Sequence, residues 1–501
     1  MEVPQILVVD LGGQYALLIA RRIRECGVRS AVLTPSDADS WLAANRPKGI
    51  ILSGGWASVN DADAPHIPDS VLAANVPVFG ICLGMQWLAK QLGGVVESSA
   101  GRSEYGIREF TWIGGTDPLF KGIAKKIRVR ASHGDSVTVL PKHAYRTGST
   151  PDCSIAGFSI PEKGIFAVQF HPETTDSECG SQILANFLEI CGVTHDWNPV
   201  SMIRDICSEV VSALPPKASV VHLFSGGVDS TVVAAMLHPI LRERLKCVSF
   251  NTGACEDQKN ILRRAVAAKC FLSIMDMSRE FFAALEGLTD AEEKRLAFQR
   301  TYDEQVERMR LEYKTPHVIQ GTLAADLIKS GQQGAAAHIK THHNVGIKSI
   351  QPLRNLFKDE VRELARTLNL PAWLSEQMPF PGPGYFIRVV GLPITQERVN
   401  IVRWADEHVR NILYDANVLS EISQLIVALT VKTTGVKGDS RRYGYTIVVR
   451  AMQSIDFMTG VGYEIPSPIR RCIKNTLSQH TGIVRVWFDE MDAPPATFEL
   501  E

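Results

Sequence analysis

The chain has 501 residues, of which 45% are hydrophobic and 21% charged, and its formal net charge is −1. That length predicts two to four domains, the composition excludes a disordered chain, and near-neutral charge gives no general drive toward nucleic acid or an anionic membrane. Apolar runs of a few residues fall far short of a bilayer span, and the opening MEVPQILVVDLGG lacks the segments of a signal peptide, so a cytoplasmic location is expected.

In chain order, Ile6 to Val9 reads as a strand ending in Asp10-Leu11-Gly12-Gly13, followed by a helical pattern through Ile23. Gly49 to Leu52 runs into Ser53-Gly54-Gly55, Val76 to Ile81 is a third strand, and Ile165 to Phe170 a later one. This rhythm of strand and helix predicts a mostly parallel, two-sided sheet over residues 1–195. His195 to Pro199 reads as a linker, with a helix after it that ends at Pro215-Pro216. A second α/β unit starts at Val220 to Phe224 and continues through Cys247 to Phe250 and His317 to Gly321, with 278–313 helical. Pro379-Phe380-Pro381-Gly382-Pro383-Gly384 is a strong breaker. Beyond it, a helix over 397–415 and strands at Tyr445 to Val449 and Ile483 to Phe488 predict a smaller α+β unit. The expected fold is therefore α/β: two doubly wound, mostly parallel sheet domains (1–195 and 196–378) plus a C-terminal α+β domain (379–501).

The ten cysteines include no Cys-x-x-Cys pair, so neither a disulfide framework nor a cysteine zinc site is expected. Cys82 stands apart. Gly80-Ile81-Cys82-Leu83-Gly84 follows a strand and precedes a helical pattern, the cysteine form of a nucleophile elbow. The helix N-terminus favours a thiolate, and the N–H of Leu83 can help hold an oxyanion. A base is needed, and His171-Pro172-Glu173 follows a strand end; residues two apart on extended chain share a side. His171 can then exchange protons with Cys82 while Glu173 orients the ring. Alone, either motif is more often a buried cysteine in a turn or a chance tripeptide; in this order at strand ends they reinforce one another.

Residues 5–190 resemble the class I glutamine amidotransferases. The resemblance implies that Cys82 attacks the glutamine side-chain amide, releasing ammonia and leaving a glutamyl thioester for water to hydrolyse. It places oxyanion donors at Gly54, Gly55 and Leu83, and glutamine-site segments at Gln86 and at Ser132 with His133, Gly134 and Asp135.

Ser225-Gly226-Gly227-Val228-Asp229-Ser230 follows a strand and opens a helix. Small residues let backbone N–H groups approach an anion at a helix N-terminus, and the Gly-Lys-Ser/Thr of a Walker loop is absent. The segment resembles the phosphate loop of N-type ATP pyrophosphatases, which cleave ATP between its α and β phosphates. That resemblance implies pyrophosphate on residues 225–230 and Mg²⁺ on Asp229. The three histidines in His338 to Gly346 read as a solvated loop rather than a metal site, because no cysteine or carboxylate cluster completes it.

This last stretch resembles the lid of the GMP synthase family, where the lysine, here Lys340, contacts ATP phosphate. So do Phe357 to Arg362, Pro379 to Gly384, Gly438-Asp439, Ile455 to Thr459 and Pro494 to Thr497, and the likeness spans essentially the whole chain. It implies adenylation of XMP at O2, displacement of AMP by ammonia to give GMP, an acceptor site drawing on Lys432, Arg441, Thr497 and Glu499, and a homodimer made by the C-terminal domain. No nucleic-acid or membrane partner is expected.

Departures cluster in the synthetase half. Phe250-Asn251-Thr252-Gly253 stands where the family has Val-Asp-Asn-Gly, and Thr322 to Asp326 lacks a Tyr-Pro pair. The lid before Gln351-Pro352-Leu353 is short. Lys432 replaces an arginine, with which it is not interchangeable at a bidentate phosphate site; Ala493 replaces a lysine. An alternative is therefore a divergent paralogue using the same chemistry on another purine-like nucleotide. A sulfur transferase would leave the glutaminase idle, and a non-catalytic descendant is disfavoured by the intact Cys82, His171, Glu173 and Asp229.

Overall fold

The computed structural model describes residues 3–62, 64–98, 103–324, 349–437, 439–454, 460–493 and 495–501. These form two compact units, one through Asp205 and one from Ile206 onward.

The first unit contains β1 (Ile6–Val9), β2 (Ser30–Leu33), β3 (Gly49–Leu52), β4 (Val78–Ile81), β5 (Val95–Ser98), β6 (Glu104–Trp112), β7 (Lys126–His133), β8 (Asp135–Val139), β9 (Tyr145–Ser149), β10 (Gly157–Ile160) and β11 (Ile165–Val168). Nine of them make one sheet in the order β2-β1-β3-β4-β11-β10-β9-β6-β7, and β5 pairs β8 apart from it. The strands from β2 to β11 are parallel. Alternation along them feeds two cores. Ile6, Val8, Ile51, Phe79 and Val168 pack on one face with Ile19 and Phe187; Leu7, Val9, Ile50, Leu52 and Ala167 pack on the other with Leu42 and Leu88. Near-continuous apolar strands are what a sheet covered on both faces requires. From β10 to β7 the sheet turns antiparallel, a wing that the sequence reading did not anticipate. Its long strands β6 and β7 alternate buried and more exposed residues and lack the continuous apolar runs that betray the parallel half.

The expected linker packs onto this unit. Trp197 N–H donates to Gly27 O, and the Arg29 guanidinium lies over the Trp197 ring. The helix Pro199–Ala213 follows and ends just before Pro215, as expected.

The second unit opens with β12 (Val220–Leu223), β13 (Leu245–Asn251), β14 (Leu272–Asp276) and β15 (Val318–Ile319), an all-parallel sheet in the order β14-β13-β12-β15. The region 278–313 is helical but broken, as Ser278–Leu285 and Ala291–Glu312. A second sheet of this unit joins the long hairpin β16 (Gln424–Lys437) and β17 (Ser440–Gln453) to β18 (Val461–Gly462) and β19 (Ile483–Asp489), beside the helix Gln396–Asp415. The segments on either side of the proline-glycine breaker share one apolar core, with Phe281 and Phe298 joined to Phe386, Val402 and Ile447. The breaker itself docks there. Gly384 has φ +65°, and a Cβ at that position would stand 2.1 Å from Ala254 O, so no larger residue fits.

Both α/β sheets place their motifs by topology. The chain starts mid-sheet at β1 and at β12 and then builds outward in both directions. With right-handed crossovers this covers both faces, and it opens a crevice at the carboxyl ends of the central strands, where ligands bind.

Candidate functional sites

Cys82 sits between β4 and the helix Leu83–Gln91 with φ 52° and ψ −107°, a conformation that side-chain-bearing residues rarely adopt. The two glycines permit it. A Cβ on Gly80 would stand 2.7 Å from the Gly84 carbonyl, and one on Gly84 would stand 2.5 Å from Leu52 O. The Cys82 N–H donates to Val168 O at 2.9 Å, tying the elbow to β11, whose continuation carries the base.

His171 and Glu173 are buried, and His171 Nδ1–H donates to Glu173 Oε1 at 2.7 Å. Burial alone would drive His171 toward the neutral ring. The charges of Glu173 and Cys82, with their hydrogen bonds, outweigh it and hold the ring well above the usual imidazole range. An imidazolium beside Sγ is the resting state of an activated cysteine. Tyr15 meets His171 edge-on at 5.2 Å, and Ser177 Oγ donates to the His171 carbonyl at 2.6 Å. A Cβ on Gly54 would come within 2.8 Å of His171 Cε1 and 3.6 Å of Cys82 Cβ, so Gly54 lines the reacting space. Leu83 opens its helix, and its N–H lies in the first turn where no intrahelical acceptor exists. Ser53 Oγ accepts from Leu11 N–H and donates to Gly54 O, fixing the Gly54-Gly55 turn.

The glutamine-site residues come together with the triad. Gln86 Nε2 donates to Asp135 O at 2.9 Å, and Ser132 O lies 3.6 Å from Cys82 Sγ. Asp135 also accepts a hydrogen bond from Ser58 Oγ. The His133 ring is held between two oxygens: Nε2 lies 3.0 Å from Glu104 Oε2 and Nδ1 3.0 Å from Asp135 O. The sequence reading missed Gln169, whose Nε2 lies 3.7 Å from Sγ. Its position two residues before His171, on the same side of extended chain, was the available signal.

In the second unit the phosphate loop lies between β12 and the helix Val228–Leu241, with Gly226 at φ +82°. Gly227 N–H donates to Ser225 Oγ, and Ser230 Oγ donates to Gly227 O at 3.0 Å, so the two hydroxyls brace the turn. Buried His222 donates Nε2–H to Ser230 O at 2.7 Å, and its burial pushes the ring below its ordinary range. Asp229 Oδ2 accepts from Lys358 Nζ at 2.7 Å. Asp229 Oδ1 is buried and has no hydrogen-bond partner among the described residues, and an oxygen so placed suits a hard divalent cation. The expected phosphate ligand Lys340 lies outside the described residues, as do Gly438, Ile455 to Thr459 and Pro494.

Comparison with known proteins matches three family models in turn: glutamine amidotransferase class-I over residues 7–191, NAD synthase over 200–381 and GMP synthase C terminal domain over 411–500. A glutamine-hydrolysing GMP synthase from Oleidesulfovibrio alaskensis is 38% identical, covering 99% of this chain and 99% of that protein. Those from Syntrophomonas wolfei and Thermobifida fusca are 37% and 38% identical, covering 100% and 99% of this chain and 100% and 98% of theirs. The chain belongs to the glutamine-hydrolysing GMP synthase family.

The four residues expected to hold the GMP synthase acceptor are not gathered in this protomer. Glu499 is buried; it takes Arg388 Nη2 at 3.2 Å and Gln424 Nε2 at 3.1 Å. Thr497 Oγ1 donates to Glu499 O, and its carbonyl accepts from Arg450. Arg441 instead opposes Val436 far along the hairpin, and about twelve residues at ~3.3 Å each put some 40 Å of strand between it and Gln424. Lys432 lies between, 4.8 Å over the Tyr445 ring, at a cavity of about 640 Å³ that Trp404, Arg442 and His480 also line. Among the departures, Asn251 is used locally: its amide donates to Asp276 and accepts from Gly253 N–H. Ala493 is buried in a two-way backbone bridge with Gly460.

Proposed function

We propose that this protein converts XMP to GMP, using glutamine as nitrogen donor and releasing AMP, pyrophosphate and glutamate. The observation that carries this reading is the buried Cys82–His171–Glu173 constellation on the same chain as a phosphate loop, matched end to end by glutamine-hydrolysing GMP synthases. Nothing in those matches favours a different acceptor.

Cys82 Sγ attacks the glutamine amide carbon, and N–H groups of the Gly54-Gly55 turn and Leu83 take up the oxyanion. His171 gives its proton to the departing nitrogen, and ammonia leaves. His171 then removes a proton from water, which attacks the thioester and frees glutamate. Separately, ATP binds with its phosphates on residues 225–230 and Lys340. O2 of XMP attacks the α-phosphorus and pyrophosphate departs; unprotonated ammonia attacks C2 and expels AMP. Mg²⁺, when bound at Asp229, neutralises phosphate charge; Lys358 meanwhile holds the other Asp229 oxygen in place. We assign residues 1–195, 196–378 and 379–501 as amidotransferase, synthetase and C-terminal domains, the last bringing Lys432, Arg441, Thr497 and Glu499 to the acceptor in a cytoplasmic homodimer.

The test incubates purified protein with ATP, Mg²⁺, glutamine and XMP and follows AMP, glutamate and GMP. Equal amounts of all three are expected. In Cys82→Ala, glutamine-dependent GMP should vanish while GMP from added ammonium persists. Glutamate or AMP without GMP would overturn the assignment of XMP.

A further inference from the structure

The first unit buries a carboxylate that the glutaminase chemistry does not touch. Glu104, at the start of β6, is 1% exposed. Thr150 Oγ1 lies 2.7 and 2.8 Å from its two oxygens, and His133 Nε2 donates to Oε2 at 3.0 Å. Arg108 Nε stands 3.8 Å from Oε1. Burial works against the charge, but the bonds from His133 and Thr150 outweigh it and hold Glu104 below the ordinary carboxylate range. Cys153 completes the cluster, its Sγ donating to Ile155 O at 3.4 Å and its N–H to Thr150 Oγ1 at 3.1 Å.

Glu104, His133 and Cys153 present ligand atoms within 4.8 Å of one another, close enough for a metal. Their hydrogen-bonding capacity is already matched, however, and burial pushes the Cys153 thiol up to about 12, which disfavours the thiolate a metal takes. The cluster does something else. Glu104 and His133 are direct cross-strand neighbours on β6 and β7. One residue later, after Gly134, the chain leaves the large sheet, and Asp135 opens β8, which pairs β5. The Glu104–His133 bond clamps that corner.

The corner faces the nucleophile. His133 Nδ1 lies 3.0 Å from Asp135 O, to which Gln86 Nε2 donates at 2.9 Å. Gln86 Nε2 also reaches Gln169 Oε1 at 3.3 Å, and Gln169 Nε2 lies 3.7 Å from Cys82 Sγ. Ser132, beside His133, puts its carbonyl 3.6 Å from the same sulfur. An unbroken line of polar contacts thus joins Glu104 to Cys82. A carboxylate is held in a buried site only where it is paired, and displacing a substrate-contacting segment by about 1 Å can cost about a hundredfold.

We propose that Glu104 is a positioning residue for the glutamine subsite, acting through His133 to fix the backbone of residues 132–135 against Cys82 and Gln86. The proposal rests on the reading of Cys82 as the glutaminase nucleophile. The test compares wild type, Glu104→Gln and Thr150→Val as full chains, each with glutamine and with saturating ammonium as nitrogen source. Glu104→Gln should raise KM for glutamine about tenfold and leave ammonium-dependent kcat within about twofold. Thr150→Val, which removes one donor, should raise KM about two- to threefold, and it decides the matter if Glu104→Gln does not fold. An unchanged KM, or glutamine and ammonium activities falling together, would overturn the proposal. A wild-type chain without Cys82-dependent glutamine turnover would instead overturn the glutaminase reading beneath it, a separate and recognisable result.

Discussion

Glu173→Gln is nearly isosteric and removes one charge from a fully buried site. Glu173 Oε1 takes His171 Nδ1–H at 2.7 Å, while Oε2 is buried with no hydrogen-bond partner among the described residues. A glutamine there has two poor options. With its oxygen toward His171, its NH₂ replaces Oε2 and is left buried and unsatisfied. With its NH₂ toward His171, Nδ1 must accept, which moves the ring proton to Nε2, the wrong tautomer for a base beside Cys82. The lost attraction is bounded by two unit charges about 4 Å apart at an effective dielectric near 20, or about 4 kcal/mol. If it is all felt in the transition state, glutamine turnover falls by about a thousandfold. The assay is glutamate release under saturating ATP and XMP, with ammonium-dependent GMP formation as the control for an intact synthetase. A loss below about tenfold, or an equal loss of ammonium-dependent activity, would refute the reasoning.

Three further outcomes are expected. Because the charges of Glu173 and Cys82 hold His171 above its ordinary range, the stability it contributes is complete below about pH 6.5, its unfolded value, and is lost as pH rises through the folded value; melts of the wild type should therefore decline on the alkaline side, more steeply than those of Glu173→Gln. Gly84→Ala drives a methyl to 2.5 Å from Leu52 O, a backbone atom, and should cost about 1–3 kcal/mol as overpacking, read in a denaturant titration together with lost glutaminase activity. Lys294 is fully buried and its Nζ donates to Glu501 at 2.7 Å and to Val389 O at 2.6 Å; Glu501→Ala strands that cation and should destabilise the second unit by about 3–5 kcal/mol, whereas Lys294→Met with Glu501→Ala together should recover much of the loss.

Legibility followed locality. The elbow at Cys82 and the loop at 225–230 were readable because their backbone demands are met by residues a few positions apart: a strand, glycines where a Cβ would collide, then a helix. The central parallel strands of both α/β sheets were readable for a similar reason, since burial on two faces writes itself as an unbroken apolar run; the edge strands β2 and β14, partly exposed, were not named. The antiparallel wing was not, because β6 and β7 mix polar and apolar residues with one face open. Family likeness added the roles of Gln86 and residues 132–135, but it did not say that His133 pairs with Glu104.

By itself the sequence determined the fold class, the order of the units and the two reacting motifs, because propensity, period and glycine spacing act over one turn of chain. Only the tertiary structure decided what surrounds those motifs. His133 meets Glu104 across 29 residues, Lys358 meets Asp229 across 129 and Arg388 meets Glu499 across 111. Glu104, Arg388 and Glu499 are buried and the Lys358–Asp229 pair is partly so, and a charge withdrawn from water must find its partner wherever the fold brings one; no spacing in the chain records which partner that is.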